Sequence, residues 1–233
     1  MTQVFSNPII LAIDTNLENE AFDLVNELKE NIGAVKLGLE YFHSYGPEGV
    51  RKIKNLNIPI FLDLKLHDIP ITVKKSIETL IDLEPTILNV HALGGEEMMK
   101  VAAQVIRDNN CSTKLLAVTI LTSMDNSDLN DIGITDGVNE GVKRLALLAK
   151  KSGLNGVVCS SKEISIIRES CGNNFTIIVP GIRPIGVDRN DQKRVMTPRE
   201  ALDLGANFLV IGRPITQSKN PLEATKEIIL SIS

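Results

Sequence analysis

Short apolar runs recur along the chain, each bounded by polar residues, glycine or proline. Eight of these runs have the length and composition of β-strands, at residues 9–13, 34–37, 60–64, 87–91, 115–120, 156–159, 176–179 and 208–211. Between them, apolar residues are spaced three and four positions apart, as at Ala21, Leu24, Val25 and Leu28, which is typical of amphipathic helices. The pattern predicts alternating strands and helices.

Strands that are joined by helices must run parallel, and their near-continuous hydrophobicity indicates that both faces of the sheet are covered. Eight such units in about 200 residues fit an α/β fold of the (β/α)8 (TIM) barrel type. A doubly wound open sheet also alternates strands and helices, but the number of strands favours the closed barrel. We therefore expect one barrel domain spanning residues 1–233.

The charge and composition exclude several classes of partner. The chain has 25 basic and 29 acidic residues among 233, and the mildly negative balance is spread along it, which argues against a nucleic-acid or membrane partner. The first basic residue is Lys29, so the start of the chain lacks the charged region of a secretory signal. The three cysteines form no C-x-x-C pair. We expect a cytoplasmic protein with reduced thiols.

Two connections between elements carry functional information. The first strand runs into Asp14-Thr15-Asn16-Leu17-Glu18, which is typical of a turn into a helix and lacks the glycines of a dinucleotide-binding loop. A nicotinamide cofactor is therefore not expected. The one long connection runs from Pro180 to Pro198, and a loop of this length in a compact domain is usually functional.

Charged residues gather at the predicted carboxyl ends of the first three strands, where the active site of such a barrel lies. Asp14 follows strand one and Lys36 lies in strand two, while Asp63 and Lys65 end strand three. Because side chains alternate along a strand, Asp63 and Lys65 share one side and face the barrel axis if Leu62 faces the helices. Burying such charges costs free energy, so the cluster is better explained as a preorganised field for a reaction than as a stabilising ion pair.

The segment Asp63-Leu64-Lys65-Leu66-His67-Asp68-Ile69-Pro70 resembles the D-x-K-x-x-D-I-P signature of the orotidine 5′-phosphate decarboxylase family. Further segments follow in the family's order, at residues 11–14, 35–38, 89–92, 121–123, 180–183, 191–194 and 212–215. The resemblance implies decarboxylation of orotidine 5′-monophosphate to UMP, the last step of de novo pyrimidine synthesis, with no cofactor and no metal.

The resemblance also implies roles for individual residues. Lys65 would donate the proton to C6 of the pyrimidine, and Asp63 would lie beside the substrate carboxylate. Lys36 would hold the charges in register and contact the ribose together with Asp14, and Thr122 would meet the pyrimidine edge.

Two more groups of residues follow from the resemblance. The 5′-phosphate side of the substrate site would be formed by Pro180, Arg183, Gln192, Gly212 and Arg213. A homodimer is also implied, in which Asp68, Ile69 and Thr72 enter the active site of the partner subunit.

Other interpretations remain open. A Mg²⁺-dependent 3-keto-L-gulonate 6-phosphate decarboxylase or hexulose-phosphate synthase shares part of the motif, but those relatives carry an acidic metal ligand where this chain has Lys36. A Schiff-base aldolase would need an uncharged lysine, which flanking carboxylates disfavour. A non-catalytic barrel that binds a phosphate ligand is the third alternative.

The three histidines are not expected to act directly in the site. His91 is either a support for the site or a structural histidine, whereas His67 and His43 are expected to lie away from it.

Overall fold

The computed structural model describes residues 5–184 and 196–232. Its strands are Ile9–Ile13 (β1), Ala34–Leu37 (β2), Ile60–Leu66 (β3), Ile87–His91 (β4), Lys114–Val118 (β5), Gly156–Val158 (β6), Thr176–Pro180 (β7) and Phe208–Ile211 (β8). They form one closed barrel in chain order, with β8 paired to β1 and every neighbouring pair parallel. The predicted (β/α)8 barrel is confirmed, and the open sheet is excluded.

Helices connect the strands as the apolar spacing predicts. They are Glu18–Leu28 (α1), Leu39–Lys54 (α2), Pro70–Leu80 (α3), Gly95–Asp108 (α4), Asn126–Asp131 (α5), Gly137–Lys151 (α6), Ile164–Cys171 (α7), Pro198–Asp203 (α8), Arg213–Thr216 (α9) and Pro221–Ile232 (α10). Short 3₁₀ turns lie at Ile81–Leu83, Ala92–Gly94 and Ser161–Glu163. No helix in the described ranges is long and apolar enough to cross a membrane.

The core has two layers, which follow from the alternation of side chains along each strand. One layer fills the barrel interior and consists of Ile10, Ala12, Ala34, Phe61, Ile87, Leu116, Val118, Val158, Ile178, Phe208 and Val210. The residues between them, such as Leu11, Val35 and Leu62, belong to a larger layer between the barrel and its helices. The inward direction of each strand is therefore known from its buried residues.

The two ends of the barrel differ. At the amino ends of the strands, the Phe5 ring lies 4.3 Å from the ring of Phe208 and packs against the interior layer. At the carboxyl ends of β1 to β4, the inward series continues with polar residues. The long connection predicted between strand seven and the next helix runs between β7 and α8, and its residues 185–195 lie outside the described part of the chain.

A candidate active site at the carboxyl ends of the strands

Polar residues continue the inward series of the first four strands. Asp14 lies two positions after Ala12, Lys36 two after Ala34, Asp63 two after Phe61, and Asn89 two after Ile87, all of these apolar residues belonging to the interior layer. Because the strands are parallel, their carboxyl ends meet at one mouth of the barrel.

Four of the predicted residues form a chain of alternating charges. Lys36 Nζ lies 3.4 Å from Asp14 Oδ1 and 3.4 Å from Asp63 Oδ2. Lys65 Nζ lies 2.9 Å from Asp63 Oδ1. The order is therefore Asp14, Lys36, Asp63, Lys65, which makes Asp14 the second acid of the network. The prediction that Asp63 and Lys65 lie on the same side agrees with this geometry.

Asp63 is the buried centre of this charge chain. Its side chain is 10% exposed, whereas that of Asp14 is 60% exposed and that of Lys65 is 31% exposed. Burial by itself raises the pKa of Asp63, but the positive charges of Lys36 and Lys65, with hydrogen bonds from Lys65 and Asn89, outweigh burial and lower it below its ordinary value. The site therefore holds a carboxylate at neutral pH.

The backbone at the end of β3 departs from a regular strand. Lys65 has a φ of 51°, in the left-handed region that residues with a side chain rarely adopt. The register with β4 shifts between Leu62 and Leu66, so the ladder is interrupted where the site is built. The side chain of Lys65 thus reaches Asp63 through a local distortion, and not through the strict alternation that the sequence pattern assumes.

Asn89 is a member of the site whose role the sequence reasoning missed. It is fully buried, its Nδ2 donates a hydrogen bond to Asp63 Oδ1 at 2.6 Å, and its Oδ1 accepts one from the Lys65 backbone at 2.7 Å. The signal that identifies it is an amide at an inward position of β4, between the apolar Leu88 and Val90.

The β1–α1 connection, which carries Asp14, is tied to α2. The Tyr45 hydroxyl donates a hydrogen bond to the carbonyl of Asn16 and accepts one from the backbone of Glu18. Lys52 of α2 also pairs with the Glu18 carboxylate at 2.8 Å. These contacts restrain the loop that places Asp14 beside Lys36.

Three predicted residues lie apart from the charge chain. Asp68, Ile69 and Thr72 are exposed at the start of α3, and Asp68 Oδ1 accepts a hydrogen bond from the backbone of Ile69 at 2.7 Å. Within residues 5–184 and 196–232 of one protomer, the Asp68 carboxylate has no ion pair with Lys36 or Lys65. These positions are therefore exposed on the surface, apart from the charge chain.

The residues predicted for the phosphate lie at the ends of two adjacent strands. Pro180 ends β7 in register with Val210 of β8, and Gly212 and Arg213 directly follow β8. Arg183 is buried, with its guanidinium donating to the carbonyl of Ile182 at 2.9 Å and its backbone donating to that of Met196 at 3.1 Å. Gln192 lies outside the described residues.

The remaining predicted residues have simpler surroundings. Thr122 is half-buried in the segment that follows β5. His91 is buried, and its Nδ1 accepts a hydrogen bond from the backbone of Leu93, which favours its structural interpretation. His67 stacks on His91 with ring centroids 5.3 Å apart. Burial, followed by the charges of His67 and Lys65, lowers the pKa of His91 to about 4, so His91 is neutral at pH 7. His43 is exposed on α2, as expected.

Asp14 and Asp63, the two acids of the charge chain, are separated by a lysine. No cluster of three or more histidine, cysteine, aspartate or glutamate side chains with metal-binding geometry lies in residues 5–184 or 196–232. The position between Asp14 and Asp63 is instead filled by the ammonium group of Lys36, 3.4 Å from each carboxylate.

A closed parallel barrel with a lysine–carboxylate chain at the carboxyl ends of its strands defines a (β/α)8-barrel protein with an enzyme-like site. Residues 7–228 match the model of the orotidine 5′-phosphate decarboxylase / HUMPS family. The chain belongs to this family.

Similar proteins cover nearly all of the chain. It is 48% identical to the orotidine 5′-phosphate decarboxylase of Wolbachia sp. subsp. Brugia malayi over 97% of this chain and 100% of that protein. It is 44% identical to the enzyme of the same name from Rhodospirillum rubrum, over 98% of this chain and 95% of that protein. The crystal structure of orotidine 5′-phosphate decarboxylase from Lactobacillus acidophilus matches with a TM-score of 0.84 at 35% identity, covering 98% and 100% of the two chains.

Proposed function

We propose that the chain decarboxylates orotidine 5′-monophosphate to UMP in de novo pyrimidine synthesis. The observation that carries this proposal is the contact between the Lys65 ammonium and the buried Asp63 carboxylate at the barrel mouth, 2.9 Å apart. It is supported by the family match over residues 7–228, which also fits one barrel domain, proposed to span residues 1–233. We further propose that the enzyme works in the cytoplasm, where its cysteines would stay reduced.

The reaction requires a positive charge close to one carbon atom. When the bond between C6 and the carboxyl group breaks, its electron pair stays on C6 in the plane of the pyrimidine ring, and CO2 leaves. The Lys65 ammonium stabilises this developing charge and then gives a proton to C6. The resulting amine regains a proton from water. Asp63 and Lys36 hold the ammonium in place, so this chain's own residues supply the chemistry.

The rest of the substrate is bound by the other ends of the strands. Asp14 and Lys36 contact the ribose, and Thr122 contacts the pyrimidine edge. The 5′-phosphate is bound on the β7–β8 side of the mouth, by Arg183, Gln192, Arg213 and the Gly212 backbone, with Pro180 beside it. Two arginines suit this role because a guanidinium group matches phosphate oxygens with paired hydrogen bonds.

We propose that the active enzyme is a homodimer with shared sites. Asp68 makes only a backbone hydrogen bond within the described residues of its own subunit, and Ile69 and Ile71 are 63% and 51% exposed. Two large apolar side chains beside an exposed acid fit a surface that a second copy covers. In the dimer, Asp68, Ile69 and Thr72 would complete the partner's site.

The Mg²⁺-dependent alternative can be tested directly, and the test is needed because the family model includes both kinds of enzyme. Lys36 argues against it, since an ammonium between two carboxylates repels a divalent cation at the same place. Loss of ultraviolet absorbance of orotidine 5′-monophosphate should proceed equally with and without EDTA. Activity that EDTA abolishes and Mg²⁺ restores would favour the metal-dependent reaction, and tight UMP binding without turnover would favour a phosphate-ligand-binding barrel.

The role of Lys65 is tested by Lys65→Ala. We expect turnover to be abolished while UMP still binds, because the phosphate and ribose contacts are separate from the ammonium group. Lys74→Ala is the matched control, since Lys74 is a half-exposed lysine on α3 whose partner is Glu78. Substantial remaining activity in Lys65→Ala would contradict the donor assignment.

The shared site is tested by complementation between two inactive variants. Lys65→Ala and Asp68→Ala subunits, mixed under exchange conditions, form hybrids in which one of two sites is intact. A random mixture should recover roughly a quarter of wild-type activity, since half of its dimers are hybrids with one working site. Inactive hybrids, with their formation demonstrated by native mass spectrometry, would overturn the shared site.

A further inference from the structure

Asn89 is a buried polar side chain with two partners in the site. Its amide is held by Asp63 Oδ1 on one side and by the Lys65 backbone on the other, at 2.6 and 2.7 Å. The assignment of its two terminal atoms follows from these partners, because the carboxylate can only accept a hydrogen bond and the backbone N–H can only donate one. Asn89 therefore bridges the two central residues of the charge chain.

The bridge lies where the β3–β4 ladder is broken. Leu62 pairs with Leu88 and Leu66 pairs with Val90, so four steps along β3 oppose two steps along β4. The extra residues include Lys65, whose backbone is in the left-handed region with a φ of 51°. The Asn89 side chain takes the hydrogen bond that a strand partner would otherwise accept, and this contact holds the distorted segment to β4.

The same amide orients the Asp63 carboxylate. Asp63 Oδ1 accepts hydrogen bonds from both Asn89 Nδ2 and Lys65 Nζ, while Oδ2 faces Lys36. A carboxylate with this pattern has its rotation fixed, and the Lys65 ammonium is directed by the oxygen that Asn89 holds.

We propose that Asn89 is a positioning residue for the decarboxylation, acting through Asp63 and through the backbone of Lys65. The kinetic part of this inference rests on the proposed function. Asparagine suits the position because one small side chain supplies a donor and an acceptor together. An aspartate keeps the acceptor but sets a second carboxylate against Asp63, whereas an alanine supplies neither group.

The experiment compares Asn89→Ala and Asn89→Asp with the control Asn155→Ala. Asn155 Oδ1 likewise accepts a strand hydrogen bond, from the backbone of Leu115 at 2.8 Å, but it precedes β6 at the opposite end of the barrel. The substitution Asn89→Asp preserves the shape of the side chain, so it tests the proposal even if Asn89→Ala does not fold.

The kinetic readout is the split between kcat and KM. We expect kcat to fall by about a hundredfold in both Asn89 variants, because a small displacement of a reacting group has an effect of that size. KM and the Kd of UMP should change less than about threefold, since the phosphate side of the site is untouched. Asn155→Ala should retain wild-type kcat.

Amide hydrogen exchange provides a readout that does not depend on activity. In protein labelled with [15N]lysine and [15N]leucine, Asn89→Ala should speed exchange at Lys65 and leave Leu115 unchanged, and Asn155→Ala should do the reverse. Asn89→Asp should keep Lys65 protected while kcat falls. Wild-type kcat in a folded Asn89 variant, or unchanged exchange at Lys65 in Asn89→Ala, would overturn the inference. Absence of turnover in the wild type would instead refute the proposed function, and the exchange data would still test the bridge.

Discussion

Replacing Lys36 with methionine removes the central cation of the site and keeps most of the side-chain volume. Lys36 Nζ lies 3.4 Å from one oxygen of Asp14 and 3.4 Å from one oxygen of Asp63, but the two carboxylates differ in exposure, at 60% and 10%. At an effective dielectric constant near 20, an ion pair at this distance has a Coulomb energy of about 5 kcal/mol. Water screens the contact with Asp14, so that pair contributes only about 0–1 kcal/mol.

The loss in folding stability is smaller than the Coulomb energy. The variant no longer has to desolvate the ammonium group, and Asp63 keeps its contacts with Lys65 and Asn89. We therefore expect the free energy of unfolding to fall by about 1–3 kcal/mol at pH 7, less than the 3–5 kcal/mol typical when a buried charge loses its sole partner. Since Lys36 also belongs to the proposed active site, kcat should fall by at least about a hundredfold.

The loss should depend on pH in a defined direction. Burial opposes the lowered pKa of Asp63, and Lys36 is the largest of the charges that lower it. A lowered pKa contributes stability above the unfolded-state value near 4, and that contribution disappears as the pH falls through the folded-state pKa. The difference in free energy of unfolding between wild type and Lys36→Met should therefore have its full value at pH 7 and decrease below about pH 4.

Urea denaturation from pH 7 down to pH 3 measures this difference. Lys151→Met is the matched control, because Lys151 pairs with Glu96 at 2.9 Å on the surface, with its side chain 66% exposed. It should change stability little and leave kcat unchanged. An equal loss in Lys36→Met at pH 7 and pH 3, or no loss at either, would refute the coupling between Lys36 and Asp63.

Two glycine substitutions test how closely the barrel is packed, one beside the site and one at the opposite end of the barrel. In Gly38→Ala the new Cβ would lie 2.9 Å from Lys36 Nζ, which is a flexible group that can move, so the protein should still fold. Because the ammonium group would move away from Asp14, we expect kcat to fall at least tenfold. An unchanged kcat would refute this expectation. In Gly156→Ala the Cβ would lie 2.1 Å from the backbone oxygen of Thr176, which cannot move without disturbing the β6–β7 pair. Thermal denaturation should show a loss of about 3 kcal/mol or more, and a stable Gly156→Ala protein would count against the packing.

The architecture could be predicted from sequence because a parallel barrel repeats one local pattern eight times. The predicted spans of β1, β2, β4 and β8 agree with the structure, since polar or glycine residues bound each apolar run clearly. The prediction for β5 differs from the structure. The sequence pattern predicts a strand from Leu115 to Ile120, whereas β5 begins at Lys114 and ends at Val118. The chain stays buried past this end, because Thr119 still donates a backbone hydrogen bond to Val158 at 3.1 Å and Ile120 is buried as well.

The site could be predicted in its residue types but not in its local geometry. Strict alternation placed Asp63 and Lys65 together, yet the actual backbone reaches this arrangement through a register shift and a left-handed residue. A hydrophobic pattern carries no information on such a distortion. The distortion depends on the hydrogen bonds that the Asn89 side chain makes with Asp63 and with the backbone of Lys65. Likewise, the contact of Lys36 with Asp14 depends on how the β1–α1 connection folds, and the proposed role of Asp68 would depend on a second subunit.

The inward positions at the carboxyl ends also differ from one part of the barrel mouth to another, as the proposed substrate would require. On β1 to β4 these positions carry charge or an amide, whereas on β5 and β6 they are the apolar Val118 and Val158. On β7 and β8 the series ends in Pro180 and Gly212, close along the chain to Arg183 and Arg213. In the proposed reaction, the charged groups on β1 to β3 would lie near the reacting carbon, Val118 and Val158 would face the ring, and Gly212 would lie near the phosphate. Apart from Lys65, which reaches Asp63 through the distortion of β3, these placements follow from one rule: along each parallel strand, every second residue faces the axis. A polar residue that breaks an inward apolar series near a strand's carboxyl end is therefore the sequence signal that identifies Asn89, whatever reaction the barrel catalyses.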